Sequence, residues 1–201
     1  MHCAVLADFS QFFIFAVDII DVKDVKRIAF ILISLLASFF SRAGGIYTAE
    51  DLAAFARAVN QFQSSDKWRD EQGVVCLEAD IDMSKVRKFE TVSSFGGIFD
   101  GKGHCIRNWK AKSGLFGVLL DGGEIRNLVI DKSCFLKATN SDEEYAVGFI
   151  VDHNRGVVSH CENYGTVAHK SAYTSEDVFV GGLAGKNSAV IFRCRKLFSQ
   201  E

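Results

Sequence analysis

The feature that most restricts this chain is internal. Residues 148–161 return at 181–194 with a constant offset of 33, pairing Asn154 with Asn187, Val157 with Val190, Val158 with Ile191 and Cys161 with Cys194. A unit of this length can bury its apolar side only against its neighbours, so the chain must fold by stacking. Shorter likenesses extend the pattern. Gly114-Leu115-Phe116-Gly117 returns as Gly182-Leu183-Ala184-Gly185, with a degenerate copy read at Gly148-Phe149-Ile150-Val151. Gly123-Glu124-Ile125-Arg126-Asn127-Leu128 echoes Gly103-His104-Cys105-Ile106-Arg107-Asn108-Trp109. Taking Ile106, Ile125, Val158 and Ile191 as equivalent gives steps of 19, 33 and 33. The short step reads as a bare coil. The long ones read as coils with insertions, expected at the polar stretches 137–144 and 169–177.

The repeated pieces are strands rather than helices. They are short, bounded by Gly and Asn, and rich in Val, Ile and Phe. The chain has 17 Gly and no Pro, where average usage would supply about ten Pro. Such a chain turns sharply yet keeps every N–H for ladder hydrogen bonds. Its 18 Phe suit large apolar layers. An antiparallel sandwich is the competing arrangement, but like residues at equal spacing favour parallel, in-register stacking.

One segment is helical. Leu52, Phe55, Ala56 and Val59 recur at helical spacing through Asn60, after Thr48 as N-cap and Glu50 and Asp51 at the positive helix end. Tyr47 stands where it can staple against Leu52. Residues 44–72 are therefore expected to form an extended lead-in and a capping helix. Residues 73–201 are expected to form the β-rungs, starting with Val74, Val75, Leu77 and Ile81. Upstream, Val25-Lys26-Arg27, a 13-residue apolar run from Ile28 to Phe40 and Ser41-Arg42-Ala43 have the layout of a signal peptide, assigned to residues 22–43. That run is shorter than the roughly 20 residues a membrane span needs. Residues 1–21 read as a start-site artefact, with translation beginning at Val22 or Val25. A precursor peptide covering residues 9–21 in a mass spectrum would refute this.

Thr48-Ala49-Glu50-Asp51-Leu52, Leu77-Glu78-Ala79-Asp80-Ile81-Asp82-Met83, the run from Phe95 to His104 and Gly114-Leu115-Phe116-Gly117 come in an order that resembles the GLUG-motif proteins of the bacterial surface. The resemblance covers roughly residues 44–196. It implies an all-β repeat, a right-handed parallel β-helix of the pectin-lyase-like type with an N-terminal capping α-helix. It also implies a secreted or surface-attached protein, often part of a longer chain, whose repeats carry no assigned catalytic residues. Phe89-Glu90-Thr91-Val92 departs from the Pro-Ile-Gly-like segment common in such chains. The end at Glu201, soon after a rung, reads as a truncated C-terminus.

The residues that could carry chemistry point mostly to structure. Cys161 and Cys194 occupy equivalent positions, and with Cys76, Cys105 and Cys134 they are expected to pack as small apolar groups rather than to bridge. No C-x-x-C or H-E-x-x-H spacing is present, so no zinc site, other metal or cofactor is expected. His160 has Arg193 as counterpart and reads as exposed and replaceable. Asp152-His153-Asn154 reads as a turn, as does Asp100-Gly101-Lys102-Gly103, which lacks a phosphate-loop arrangement. Asp80 and Asp82 could share a strand side as carboxylates do in polysaccharide-cleaving enzymes, but turn bonding is the expected role. Ser113 lies outside any G-x-S-x-G context.

No catalytic residue is therefore assigned. The net charge of −2 gives no basic field for nucleic acid. The expected function is a non-catalytic exported module for adhesion or glycan contact, with host or bacterial polysaccharide as partner. Trp68 and Trp109 are candidate sugar-stacking rings, although Trp109 fits a core position. The alternatives are a polysaccharide lyase or hydrolase, or a spacer from a larger surface protein. An enzyme would need a charged cluster on one outer face, and the outward set read from the repeats (Arg107, Arg126, Ser159 and Phe192) supplies none.

Overall fold

The computed structural model describes residues 44–138, 144–169 and 177–197. The expected start-site segment 1–21, the signal peptide 22–43 and most of both candidate insertions lie outside these residues. Helix α1 (Ala49–Asn60) forms where its apolar spacing predicts. The Thr48 hydroxyl accepts the Asp51 N–H at 3.0 Å, and the Asp51 carboxylate accepts the Tyr47 N–H at 3.3 Å, so two free donors at the helix start are satisfied.

Strands β1 (Val75–Cys76) and β2 (Ile81–Asp82) follow the helix. One coil then runs through β3 (Val92–Phe95), β4 (Ile98–Asp100), β5 (Cys105–Arg107) and β6 (Lys110–Ala111). The next runs through β7 (Phe116–Leu119), β8 (Glu124–Arg126), β9 (Val129–Ile130) and β10 (Phe135–Ala138). An extra strand, β11 (Glu144–Gly148), leads into β12 (Val151–Asn154), β13 (Val157–Ser159), β14 (Glu162–Asn163) and β15 (Thr166–His169). A second extra strand, β16 (Asp177–Gly181), leads into β17 (Ala184–Asn187), β18 (Val190–Phe192) and β19 (Arg195–Lys196).

Strands one coil apart stack. The first sheet is β3-β7-β12-β17, the second β1-β4-β8-β13-β18 and the third β2-β5-β9-β14-β19. A fourth holds β6-β10-β15 and a fifth β11-β16. Every ladder between these strands is parallel. Connections between paired strands go around the stack and never back along it. This is a parallel β-helix with a helical cap.

The ladders move two of the sequence alignments. Ile125 stacks on Phe99, not on Ile106, so the step before the 33-residue coils is 26 residues and not 19. Ile106 belongs to the third sheet, between Ile81 and Ile130. The misreading has a physical source. Asn108 and Asn127 both hold left-handed backbone, at φ 57° and 52°, and each turns one strand into the next ahead of a buried residue, Trp109 or Leu128. The same corner chemistry recurs at two different corners of the coil. The degenerate tetrapeptide also shifts by one residue. Val151 lies between Phe116 and Ala184, so residues 149–152 are the copy and Asp152 stands where its neighbours have Gly117 and Gly185.

The cap closes the first sheet chemically as well as sterically. The Asn60 amide donates to the Thr91 carbonyl at 2.9 Å and accepts the Ser93 N–H at 2.8 Å, occupying the outer edge of β3 as a strand would. Beneath it Phe55 meets Trp68, Phe95 and Phe99 at ring-centroid distances of 5.7, 6.0 and 6.2 Å. Phe116 continues the cluster at 5.2 Å from both Phe95 and Phe99.

Candidate functional site

The corner between the second and third sheets gathers charge that the sequence alignment had separated. Asp100, not Arg107, is the neighbour of Arg126. The Arg126 guanidinium donates to Asp100 at 2.7 Å and also meets Glu124 at 3.6 Å. Around them Lys102 pairs with Glu78 at 2.6 Å, His104 faces Asp80 at 3.3 Å and Arg107 faces Asp82 at 3.5 Å. A shallow groove of about 530 Å³ runs along this corner, lined by Asp100, Lys102, Gly103, Asn127, Val129, His160 and Glu162.

The carboxylates here are already engaged. Asp82 is held down to about 2, first by the Ser84 N–H and then by the Asn108 amide. Asp80 is lowered chiefly by the Cys105 N–H. Burial pushes Asp100 up, but the Asn127 amide, the Lys102 N–H and Arg126 outweigh it and leave the group lowered. A general acid at neutral pH needs a raised carboxyl, so these groups suit bridging between coils rather than proton transfer. Among the described residues no group of three His, Cys, Asp or Glu side chains could hold a metal ion.

One carboxyl is raised. Asp152 is buried, and burial pushes it up to about 7 against the N–H groups of Gly114 and Gly148, which donate to its Oδ1 at 2.9 and 3.1 Å. It therefore ties two successive coils together from a buried position. Asp152-His153-Asn154 is not the turn that its composition predicts; it lies within β12. The Asn154 amide donates to Asn187 Oδ1 at 2.7 Å, an amide contact that runs from the buried Asn154 to the exposed Asn187. Asp100-Gly101-Lys102-Gly103 does turn, with Lys102 and Gly103 at φ 50° and 80°. Ser113 shares a 2.6 Å hydroxyl contact with Thr91. His160 is exposed, as its pairing with Arg193 predicts, but both occupy a left-handed corner, at φ 52° and 51°. The position is therefore more constrained than a freely replaceable one.

The two Trp residues are each only 4% exposed, so neither offers a sugar-stacking face. Trp68 packs under the helix and Trp109 lies against Phe89 and Phe149. Trp109 is in the core as expected, but beside Cys134 in the register of the fourth sheet, rather than above Leu128 and Cys161.

A second surface lies on the fourth sheet. On the outer side of the fourth sheet Phe135 is 39% exposed and lies directly opposite Lys110. Lys110, Ala111, Lys112, Phe135 and Lys137 line a cleft of about 380 Å³ there. Strand alternation places them: Ala111, Leu136 and Ala138 are buried while Lys110, Phe135 and Lys137 are exposed. The alternation in Lys110-Ala111-Lys112 and Phe135-Leu136-Lys137-Ala138 was the available signal, at a spacing of 25 residues. An apolar ring flanked by ammonium groups can stack on the face of a sugar and pair with its acidic substituents.

The class the ladders define, a parallel β-helix, rests on this geometry alone. No protein-family model matches the chain, and neither does any curated protein. Among solved structures it is similar to a Bacteroides ovatus protein described as a "putative immunoglobulin A1 protease", with 19% identity and a TM-score of 0.49. The match covers 78% of this chain and 57% of the other, so the chain spans little more than half the length of that protein.

Proposed function

We propose that this chain is a non-catalytic, exported module of the bacterial surface whose ridged outer face holds acidic polysaccharide. The observation that carries the reading is the cleft of Lys110, Lys112 and Lys137 around the exposed Phe135. Repeat faces of this kind suit many weak contacts along a polymer. The resemblance to GLUG-motif surface proteins supports the setting, since the tetrapeptides at 114–117, 149–152 and 182–185 stand at one position of successive coils. The signal-peptide pattern at 22–43 supports export. Among the described residues no helix is long and apolar enough to cross a membrane.

The charged corner favours a second reading, a polysaccharide lyase or hydrolase acting at Asp100 and Arg126. Its lowered, bridged carboxylates weigh against that reading. One experiment separates the two. The full-length chain is passed over immobilised neutral and uronate-bearing polysaccharides, and both retention and new chain ends are scored. Retention on the acidic polymers without new ends is expected, weakened at least tenfold by Lys110→Glu with Lys137→Glu. New ends that disappear in Asp100→Asn would overturn the proposal in favour of the enzyme.

A further inference from the structure

Of the described cysteines, Cys161 and Cys194 alone face one another in register. The flanking pairs Ser159 with Phe192 and Glu162 with Arg195 put the two residues opposite each other at one corner of adjacent coils. Cys76 lies opposite Asp100 and Cys105 opposite Val129, while Cys134 follows the register that places it beside Trp109. The Cys161 N–H points at Cys194 Sγ, 3.4 Å away. Neighbouring strands lie about 4.8 Å apart, inside the range of Cα separations, roughly 4.4–6.8 Å, that a disulfide spans. Both thiols are free in the structure.

We propose that Cys161 and Cys194 form an oxidisable pair whose closure to a disulfide staples the last described coil to the one before it. That coil has the most to gain. Val190, Phe192 and Leu197 are exposed there, and Ile191 and Cys194 are only partly covered, whereas the equivalent Val158 and Cys161 are fully buried.

The reaction needs a small-molecule disulfide such as oxidised glutathione. Cys194 is the attacking group: it is the more exposed, and the hydrogen bond from the Cys161 thiol favours its thiolate, while that same bond and burial push Cys161 up. The Cys194 thiolate attacks one sulfur of the reagent, forms a mixed disulfide and expels one glutathione thiolate. Cys161 then gives up its proton and attacks Cys194 Sγ, expelling the second. Two protein thiols are oxidised, and one external disulfide is reduced to two thiols. Cys76 and Cys134, buried and both pushed up to about 11, are poor competitors.

The test treats the full-length chain with oxidised glutathione at pH 8, blocks remaining thiols by alkylation and maps peptides by mass spectrometry. The expected result is one cross-linked species joining the Cys161 and Cys194 peptides, two hydrogens lighter than their sum and absent when reductant is added. Thermal unfolding of the oxidised form should rise by several degrees and return on reduction. Recovery of both cysteines alkylated, as separate glutathione adducts, or linked to other cysteines would overturn the proposal. The wild-type comparison with and without reductant suffices even if Cys194→Ser folds poorly.

Discussion

In the coils nearest the cap, the interior columns run Phe95 over Leu119 in the first sheet and Ile106 over Ile130 in the third. In the coils beyond Gly148 the same columns continue as Asn154 over Asn187 and Asn163 over Lys196. The amide of Asn154 bonds Asn187 and the Val190 carbonyl, and its oxygen accepts the Gly156 N–H. Asn163 accepts the Gly165 N–H and donates to the Gly182 carbonyl. The Lys196 ammonium reaches the Gly165 carbonyl at 2.5 Å. Coil length changes at the same place. Steps of 24 residues from Val92 to Phe116 and 26 from Phe99 to Ile125 give way to a constant 33 from Ile125 to Val158 and from Val158 to Ile191. Apolar filling is non-directional and accepts small differences between coils. Stacked amides are directional, so each coil must deliver its Asn at one place and angle. The added fifth sheet supplies the longer path, and the polar ladder holds its register.

The largest test of this contrast is at the cap. Phe55 is fully buried among Trp68, Phe95 and Phe99. Phe55→Ala should cost about 3–5 kcal/mol in denaturant unfolding. Phe192→Ala, in the last described coil where the ring is exposed, should cost no more than about 0.5 kcal/mol. Equal losses at both positions would mean that the aromatic cluster does not distinguish the two regions.

A second difference is electrostatic. Asp152 has a folded-state value near 7 against 3.8 for the unfolded chain. Between those values the folded chain holds a proton that the unfolded chain has released. Its contribution to stability is therefore full below about pH 4 and lost as pH rises through 7. Wild-type stability should fall by on the order of 2–3 kcal/mol from pH 5 to pH 8 through this group, at about 1.4 kcal/mol per unit of pH. Asp152→Asn keeps an oxygen for the Gly114 and Gly148 N–H groups and should flatten that slope. An unchanged slope would place the titrating group elsewhere.

The amide ladder gives a smaller effect. Asn154→Leu installs the residue that Leu119 supplies one coil earlier, but it leaves the Gly156 N–H without its acceptor. The expected cost is about 1–3 kcal/mol, together with faster amide exchange in β17 and β18. A neutral result would show that apolar filling serves either region equally.

What the sequence made legible follows the same division. The 33-residue coils could be read because Asn154, Val157 and Cys161 return at a fixed distance as Asn187, Val190 and Cys194. The capped coils could be read only as strands. Their filling is Val, Phe, Leu and Ile in no fixed order, and the Asn-ended corners at 108 and 127 look alike while occupying different corners. The helix and its Thr48 cap were legible because capping and apolar spacing are local. The lysine cleft was not: Lys110 and Phe135 share no chemistry, and only the ladder between β6 and β10 makes them neighbours. The corner cluster was missed for a related reason, since assigning Ile106 to the wrong sheet replaced Asp100 with Arg107.

The corners sharpen the comparison further. Between the second and third sheets the left-handed residue is Asn127 in the coil nearer the cap, then His160 and Arg193 in the two longer ones, at φ 52°, 52° and 51°. Asn adopts this conformation with less strain because its short amide bonds locally, whereas a long side chain has no such compensation. His160→Asn and Arg193→Asn should each stabilise the protein, by a few tenths to about 1 kcal/mol, with Arg193 gaining more because His is itself enriched in this region. His160 has a competing term, since its ring meets Phe192 edge-on at 5.4 Å. If His160→Asn destabilises the protein while Arg193→Asn stabilises it, the ring contact outweighs backbone strain at that corner. Repeating His160→Asn in a Phe192→Ala background then separates the two terms, because only the ring contact disappears with Phe192.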